Sequence, residues 1–306
     1  MVDAPGLLRI ALQPLGQSGA EPTVLDAVRA AVPPGDYQMD ITLGAVTVTQ
    51  MITVPSTGTA SPEVILNAAV VTLRPRIGPN AAIEATTQMT VSNAAGFSLQ
   101  MTGQMDAWLP AGDYTLTARL DAVTATVPVT VVAGQALEQD VFISAAAVVP
   151  KVFYTAGQPV NDADLQVEIV AARPHVDGSR TLISSRNGRD PVFHLGAGDY
   201  VAITRLGLAT AETAFSIALV QRTELPVMLD AGVLAVTATG SDLILIAPPP
   251  DIGGNAPAGS EFTGDAVQET LNAGAYQVTA RFGAQITTAM VVITPGGRAE
   301  VVLTAP

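Results

Sequence analysis

Apolar and polar residues alternate with a period of two through most of this chain. The run Tyr114-Thr115-Leu116-Thr117-Ala118-Arg119-Leu120 is followed by the short turn Asp121-Ala122 and a second alternating run over 123–132. Ala133-Gly134-Gln135 makes a further turn before a closing run over 137–143. The same order recurs near the end of the chain: Tyr276 to Phe282, then 285–293, the turn Pro295-Gly296-Gly297, and 299–303. Alternation rich in β-branched residues and punctuated by Gly and Pro predicts antiparallel strands. One stretch reads differently: the apolar spacing over 22–32 fits a helical turn or two as well as a strand. Elsewhere the pattern is all-β.

A short phrase opens each of these blocks. It reads Pro33-Pro34-Gly35-Asp36-Tyr37, Pro110-Ala111-Gly112-Asp113-Tyr114, Gly196-Ala197-Gly198-Asp199-Tyr200 and Asn272-Ala273-Gly274-Ala275-Tyr276. Four of the five tyrosines lie in it, 77, 86 and 76 residues apart. Spacing of that size predicts tandem copies of one small domain. Segment starts match too: Asp3-Ala4-Pro5-Gly6-Leu7-Leu8 pairs with Asp230-Ala231-Gly232-Val233-Leu234, with Asn67 and Ser144 opening the same slot. The expected repeats are 1–66, 67–143, 144–229 and 230–306, the first short enough to lack a strand. The joins hold no flexible Gly/Ser linker, so a stiff rod or compact array is expected. Insertions fall in the middle of repeat 3 (160–164 and 173–180) and of repeat 4 (248–257).

The phrase has a physical logic. Gly35, Gly112, Gly198 and Gly274 allow a sharp turn, and proline fixes the angle of approach. Tyr37, Tyr114, Tyr200 and Tyr276 then enter strands with their rings in the core and their hydroxyls on backbone near the turn, as in the tyrosine corner of Greek-key sandwiches. Asp36, Asp113 and Asp199 read as turn formers. An arginine recurs five residues after the tyrosine, as Arg119, Arg205 and Arg281; an odd offset puts it on the opposite face. Trp108, the one tryptophan, reads as core.

The stretch from Leu109 to Gln135, Leu-Pro-Ala-Gly-Asp-Tyr followed by Val-Pro-Val-Thr-Val-Val-Ala-Gly-Gln, resembles the closing half of carboxypeptidase-regulatory-like, transthyretin-like domains. It is similar also to the immunoglobulin-like repeats of bacterial surface proteins, including those that follow von Willebrand A-type domains in α-proteobacterial proteins. The resemblance covers about the last thirty residues of each repeat. It implies four tandem Ig-like, Greek-key β-sandwiches of seven or eight strands and a non-catalytic role in spacing, adhesion or assembly.

Composition narrows the classes. The chain is 48% hydrophobic and only 13% charged, with a single lysine, Lys151. Its charged fraction is about half that typical of soluble domains. A net charge of −13 disfavours nucleic acid. No apolar stretch is long enough to span a membrane as a helix, and residues 1–12 do not read as a signal peptide. They read as the interior of a module, so a further domain before Met1 is an open expectation. With no cysteine there are no disulfides and no thiolate chemistry.

Little else suggests chemistry. His175 and His194 are the only histidines, and with Asp177 they form at most a thin metal-ligand set. Asn161, Asp162 and Asp164 offer alternating oxygens for calcium, but only three side chains where six to eight oxygens are needed. Gly253-Gly254 and Gly296-Gly297 do not open phosphate-binding helices. The sequence therefore predicts no enzyme and no cofactor. It predicts an extracytoplasmic structural or interaction protein that joins proteins, itself included, through exposed sheet edges. The alternative is an adhesion module for a carbohydrate or protein ligand, with His175, Asp177, Arg180 and Arg189 of the repeat-3 loops as contacts.

Overall fold

The computed structural model describes all residues except 1–7, 17–20, 26–28, 219–221, 251 and 253–256. The described residues form strands and connecting turns, with no helix. They divide into two compact units, residues 1–144 and 145–306.

In the first unit, β1 (Leu8–Pro14), β2 (Thr23–Leu25), β3 (Gly35–Leu43) and β4 (Val46–Val54) form one sheet of order β2-β1-β3-β4. The stretch that fitted helix or strand thus supplies the short strand β2; its residues 26–28 lie outside the described ones. The next seven strands are β5 (Ala68–Arg76), β6 (Gln88–Ser92), β7 (Ser98–Thr102), β8 (Met105–Pro110), β9 (Gly112–Leu120), β10 (Val123–Val131) and β11 (Leu137–Phe142). They make two sheets, β10-β9-β6-β7 and β11-β5-β8.

The second unit holds β12 (Ala146–Thr155), β13 (Gln158–Pro159), β14 (Gln166–Ala171), β15 (Leu182–Asn187), β16 (Phe193–Leu195), β17 (Gly198–Leu206), β18 (Ala209–Ile217) and β19 (Thr223–Met228). Sheet β15-β14-β17-β18 faces a sheet in which β12 pairs β13, β16 and β19. Last come β20 (Ala231–Thr237), β21 (Leu243–Ala247), β22 (Ser260–Thr263), β23 (Ala266–Asn272), β24 (Gly274–Phe282), β25 (Gln285–Ile293) and β26 (Arg298–Val302), as sheets β22-β21-β24-β25 and β23-β20-β26.

The fold is all-β and repeats one plan four times in tandem: the last three repeats are two-sheet sandwiches, and the described residues of the first form one sheet. The tyrosine strand is always third or second from an edge, flanked by the following hairpin strand. Inward side chains from both layers make each core. Val148, Val152, Phe193 and Leu195 of one layer meet Val167, Ile169, Ala202 and Leu206 of the other. Leu234, Val236 and Leu271 likewise meet Ile244, Ile246, Val278 and Ala280. Burying a side chain the size of Phe193 contributes about 2–3 kcal/mol.

Two features depart from the strand pattern read along the sequence. One ladder in each of the second, third and fourth repeats is parallel, where the alternation predicted antiparallel strands throughout: β11 on β5, β19 on β12 and β26 on β20. The closing strand returns beside the opening one after the chain has crossed the other sheet, so the two run the same way. In the first such pair, Arg74 bonds Glu138, and Arg76 meets Asp140 at 3.2 Å, across the ladder.

The second departure concerns the first repeat. Strand β1 pairs with the tyrosine strand β3, as β6, β14 and β21 pair with β9, β17 and β24. Leu8 therefore corresponds to the start of β21, not to the β20 segment with which 3–8 was matched; residues 3–7 lie outside the described ones. Among the described residues this repeat has four strands and a small core of Leu12, Tyr37 and Met39, where the others have seven or eight strands.

Candidate functional site

The tyrosine phrase has one geometry in all four copies. Each hydroxyl donates to the carbonyl four residues earlier: Tyr37 to Pro33 (2.8 Å), Tyr114 to Pro110 (2.9 Å), Tyr200 to Gly196 (3.1 Å) and Tyr276 to Asn272 (3.0 Å). Gly35, Gly112, Gly198 and Gly274 open the strands with φ between +151° and +157°, a conformation that side chains rarely adopt. Burial raises the pKa of the Tyr114, Tyr200 and Tyr276 hydroxyls above the ordinary value.

The aspartates of the phrase lie in strands rather than in turns. Asp36 accepts from the Thr53 hydroxyl at 2.6 Å, Asp113 from Thr130 at 2.7 Å and Asp199 from Ser216 at 2.6 Å. Each pair sits in direct register across its hairpin, where β-strand side chains on one face meet. In the fourth copy both partners change together, and Ala275 faces Val292.

Consecutive repeats within a unit meet through a common device. The turn of the tyrosine hairpin has a residue with φ near +55°: Gly44 (58°), Asp121 (51°), Gly207 (55°) and Gly283 (59°). In the first unit, Gly44 lies against Trp108; a Cβ there would be 3.1 Å from the Trp108 Cβ. Leu43 and Val46, on either side of this turn, are buried. Trp108 is half-buried on β8 and packs on this neighbouring turn, which corrects its reading as core.

In the second unit, the Leu208 N–H donates to the Thr270 carbonyl at 2.9 Å, and a Cβ on Gly207 would meet Glu269 Oε2 at 2.5 Å. Burial here raises the pKa of Glu269. Asn272 completes the contact. Its amide nitrogen donates to the Thr210 carbonyl at 3.0 Å and to the Leu229 carbonyl at 2.8 Å, while its oxygen accepts from the Thr210 N–H at 3.0 Å. One side chain thus ties together the hairpin of one repeat, the join at 229–230 and the phrase of the next. The join residues Asn67 and Asp230 have φ of 51° and 46°, a conformation these residue types tolerate. Their carbonyls accept from Ala111 (2.8 Å) and Ala273 (2.6 Å) of the following phrase. Sequence reasoning missed Asn272, although it stands where two other copies have proline and one has glycine.

The loop residues expected to form one contact site fall into two places. His175, Asp177 and Arg180 share the β14–β15 loop. His175 Nε2 lies 2.9 Å from the Thr181 hydroxyl, and Asp177 accepts from the backbone (2.9 Å) and hydroxyl (2.6 Å) of Ser179. The Ser179 hydroxyl bond, reinforced by its N–H, holds the Asp177 pKa low. Arg180 pairs with Glu212 at 3.0 Å. Arg189 follows β15 at the strand's other end, about 20 Å away along six residues. There it donates to Asn161 Oδ1 at 3.2 Å, beside a shallow cleft lined by Lys151, Pro159 and Asp190. Asp162 accepts from the Asp164 N–H at 2.9 Å, so these two residues and Asn161 have protein partners. No group of three acidic, His or Cys side chains suited to a metal occurs among the described residues. His194 is half-buried on β16 opposite Ala147. Gly253 and Gly254 lie outside the described residues.

No family model matches the chain, and no curated relative matches it. Among solved structures it is similar to the Bacillus anthracis TIE protein at 13% identity and a TM-score of 0.23, over 100% of this chain and 67% of that one. It is similar to the minor pilin of Streptococcus agalactiae at 9% identity and a TM-score of 0.28, over 53% and 94%. A streptococcal ancillary pilin aligns at 12% identity and a TM-score of 0.27, over 78% of this chain and 99% of that one.

Proposed function

We propose that this chain is a non-catalytic, rigid component of a bacterial cell-surface or extracellular assembly that acts through protein–protein contacts. The observation that carries the reading is the Asn272 clamp. An amide whose donors and acceptor all bind the backbone of the preceding repeat and join fixes an angle between domains rather than building a substrate pocket. A fixed angle serves a spacer or scaffold. The low content of charge leaves surfaces of Thr, Ser, Gln and Ala suited to close packing against neighbours. Cross-linking followed by surface labelling of intact cells tests this. The chain is expected to label from outside and to run in a larger protein complex. Recovery as a free cytoplasmic monomer would overturn the reading.

A second reading is favoured by one feature. The β14–β15 loop is ordered by its own hydrogen bonds and carries a fully exposed Val176 at its tip. Such a preorganised loop suits an adhesion module that takes a carbohydrate or protein ligand. Loss of ligand capture in Val176→Ser, with the assembly intact, would support it.

A further inference from the structure

In the last three repeats the opening strand is the centre of the smaller sheet. β5 lies between β11 and β8, β12 joins β16 to β19, and β20 lies between β23 and β26. Every ladder of that sheet is made with it. The first repeat has the larger sheet, β2-β1-β3-β4, but among its described residues no opening strand. The two segments that would flank one are present, 29–34 before Tyr37 and 60–66 before the join at Asn67, and neither forms a strand with a partner. Among the described residues no backbone hydrogen bond joins the two.

The side chains around this position are apolar and incompletely covered. Ile10 and Ile41, paired in register, are only partly buried, whereas the matched pairs Met89 with Ala118, Val167 with Thr204 and Ile244 with Ala280 are all 0% exposed. Val32 precedes its tyrosine by five residues and is partly buried; Leu109, Leu195 and Leu271 at the same place are fully covered. Leu66 is also partly buried. Its counterparts Ile143 and Leu229 are buried and donate their N–H groups to the opening strand, at the Arg76 (2.8 Å) and Phe153 (2.9 Å) carbonyls. Val32 and Val64 still pack on the core of Leu12, Tyr37 and Met39, so both flanks are held against the larger sheet.

We propose that the first repeat takes its opening strand from a different polypeptide. The occupant is an extended segment with apolar side chains at alternate positions and an arginine or lysine facing outward between them. It lies antiparallel to 29–34 and parallel to 60–66, bonds both, and covers Ile10 and Ile41. The other repeats define its chemistry, because Val71 and Leu73, Val148 and Val152, and Leu234 and Val236 fill the same position from within. Arg74 and Lys151 occupy one register position between them, opposite residues 140 and 226 of the closing strands. Asp140 stands there, 3.9 Å from Arg74. Counted back from the join, the matched residue of the first repeat is the exposed Glu63. A basic segment also suits a chain of net charge −13.

The same observations argue against a second copy. Its β5, β12 and β20 are each engaged in their own repeats, and like charge opposes its approach. The seven residues before Leu8 are too few for a turn and a strand together, since in the fourth repeat the turn 238–242 alone takes five. This inference rests on the reading of the chain as a component that acts through protein–protein contacts, and it names one of them.

The probe is a synthetic peptide of residues 68–76, the segment that fills this position in the second repeat, added to the full chain. Fluorescence anisotropy of the labelled peptide is expected to show saturable binding of one peptide per chain. Amide exchange over 29–34 and 60–66 is expected to slow by about tenfold or more, with the other repeats unchanged. A peptide with Val71→Ser and Leu73→Ser is expected not to bind. Glu63→Lys in the chain is expected to weaken the peptide about fivefold, and Arg74→Glu in the peptide to restore it. Glu63 is exposed, so an unchanged melting temperature shows that this variant folds. No saturable binding up to about 1 mM, protection elsewhere in the chain, or equal binding of the serine peptide overturns the proposal. A chain that self-associates and is dissociated by the peptide overturns it too, by making a second copy the occupant. Each of these failures leaves surface labelling of intact cells free to support the assembly reading.

Discussion

The Asp113 carboxylate accepts a hydrogen bond from the Thr130 hydroxyl at 2.7 Å across the β9–β10 hairpin, and in the fourth repeat the matched residues are Ala275 and Val292. Polar pair and apolar pair are alternative solutions to one register position. Asp113→Ala should cost at most about 1 kcal/mol, because the pair is exposed. The double variant Asp113→Ala/Thr130→Val should return to within about 0.5 kcal/mol of wild type. Denaturant unfolding of the four proteins closes the cycle, and purely additive effects would contradict the pairing.

The hairpin turns give a second comparison at nearly constant backbone geometry. Gly44, Gly207 and Gly283 have φ of 58°, 55° and 59° but different surroundings. Nothing lies within 4 Å of a Cβ at Gly283, while Trp108 is 3.1 Å from one at Gly44 and the Thr270 backbone 3.1 Å from one at Gly207. Gly283→Ala should cost only the left-handed conformation, about 1 kcal/mol. Gly44→Ala and Gly207→Ala should cost more, by about 1–3 kcal/mol each, because packed neighbours must also move. Equal losses at all three positions would mean that the turns do not dock on the next repeat.

Thr204 is fully buried on β17, and its hydroxyl has no partner among the described residues. The matched residues in the second and fourth repeats are Ala118 and Ala280. Thr204→Val removes an unsatisfied hydroxyl and keeps the shape, so it should stabilise the 145–306 unit by about 1 kcal/mol. A lowered melting temperature would reveal a partner for that hydroxyl.

How far the sequence revealed this molecule depends on how local each determinant is. The tyrosine phrase was legible because the glycine, the ring and the carbonyl that takes the hydroxyl all lie within five residues. The hairpins were legible for the same reason. The parallel closing ladders were not, because β11 finds β5 across more than sixty residues and alternation has no sign for direction. Trp108 read as core because a large apolar side chain is usually buried within its own domain, whereas here a neighbouring turn half covers it. The aspartates read as turn formers because they follow glycine; their hydroxyl partners lie 17 residues on. Asn272 carried the one available signal, a break in the repeated phrase, and its meaning needed the position of Thr210.

Alkaline pH should unfold the chain through the tyrosines. Burial raises the pKa of Tyr114, Tyr200 and Tyr276 above 10, so the folded state holds these protons more tightly than the unfolded state. The stability from this source is complete below the unfolded value and is lost as pH rises through the raised folded one. Tyr276→Phe should flatten the fall in stability above pH 10, followed by circular dichroism. It should also cost about 1 kcal/mol at neutral pH through the lost bond to the Asn272 carbonyl. An unchanged alkaline midpoint would contradict the role of this hydroxyl.

The central claim is that the two repeats within a unit are fixed to one another, and the chain's lack of cysteine makes it directly measurable. Spin labels on Ala214→Cys and Glu261→Cys report the distance between the third and fourth repeats by electron–electron double resonance. The account predicts a single narrow distance distribution that broadens in Asn272→Ala. A broad distribution in the unclamped and clamped proteins alike would contradict it.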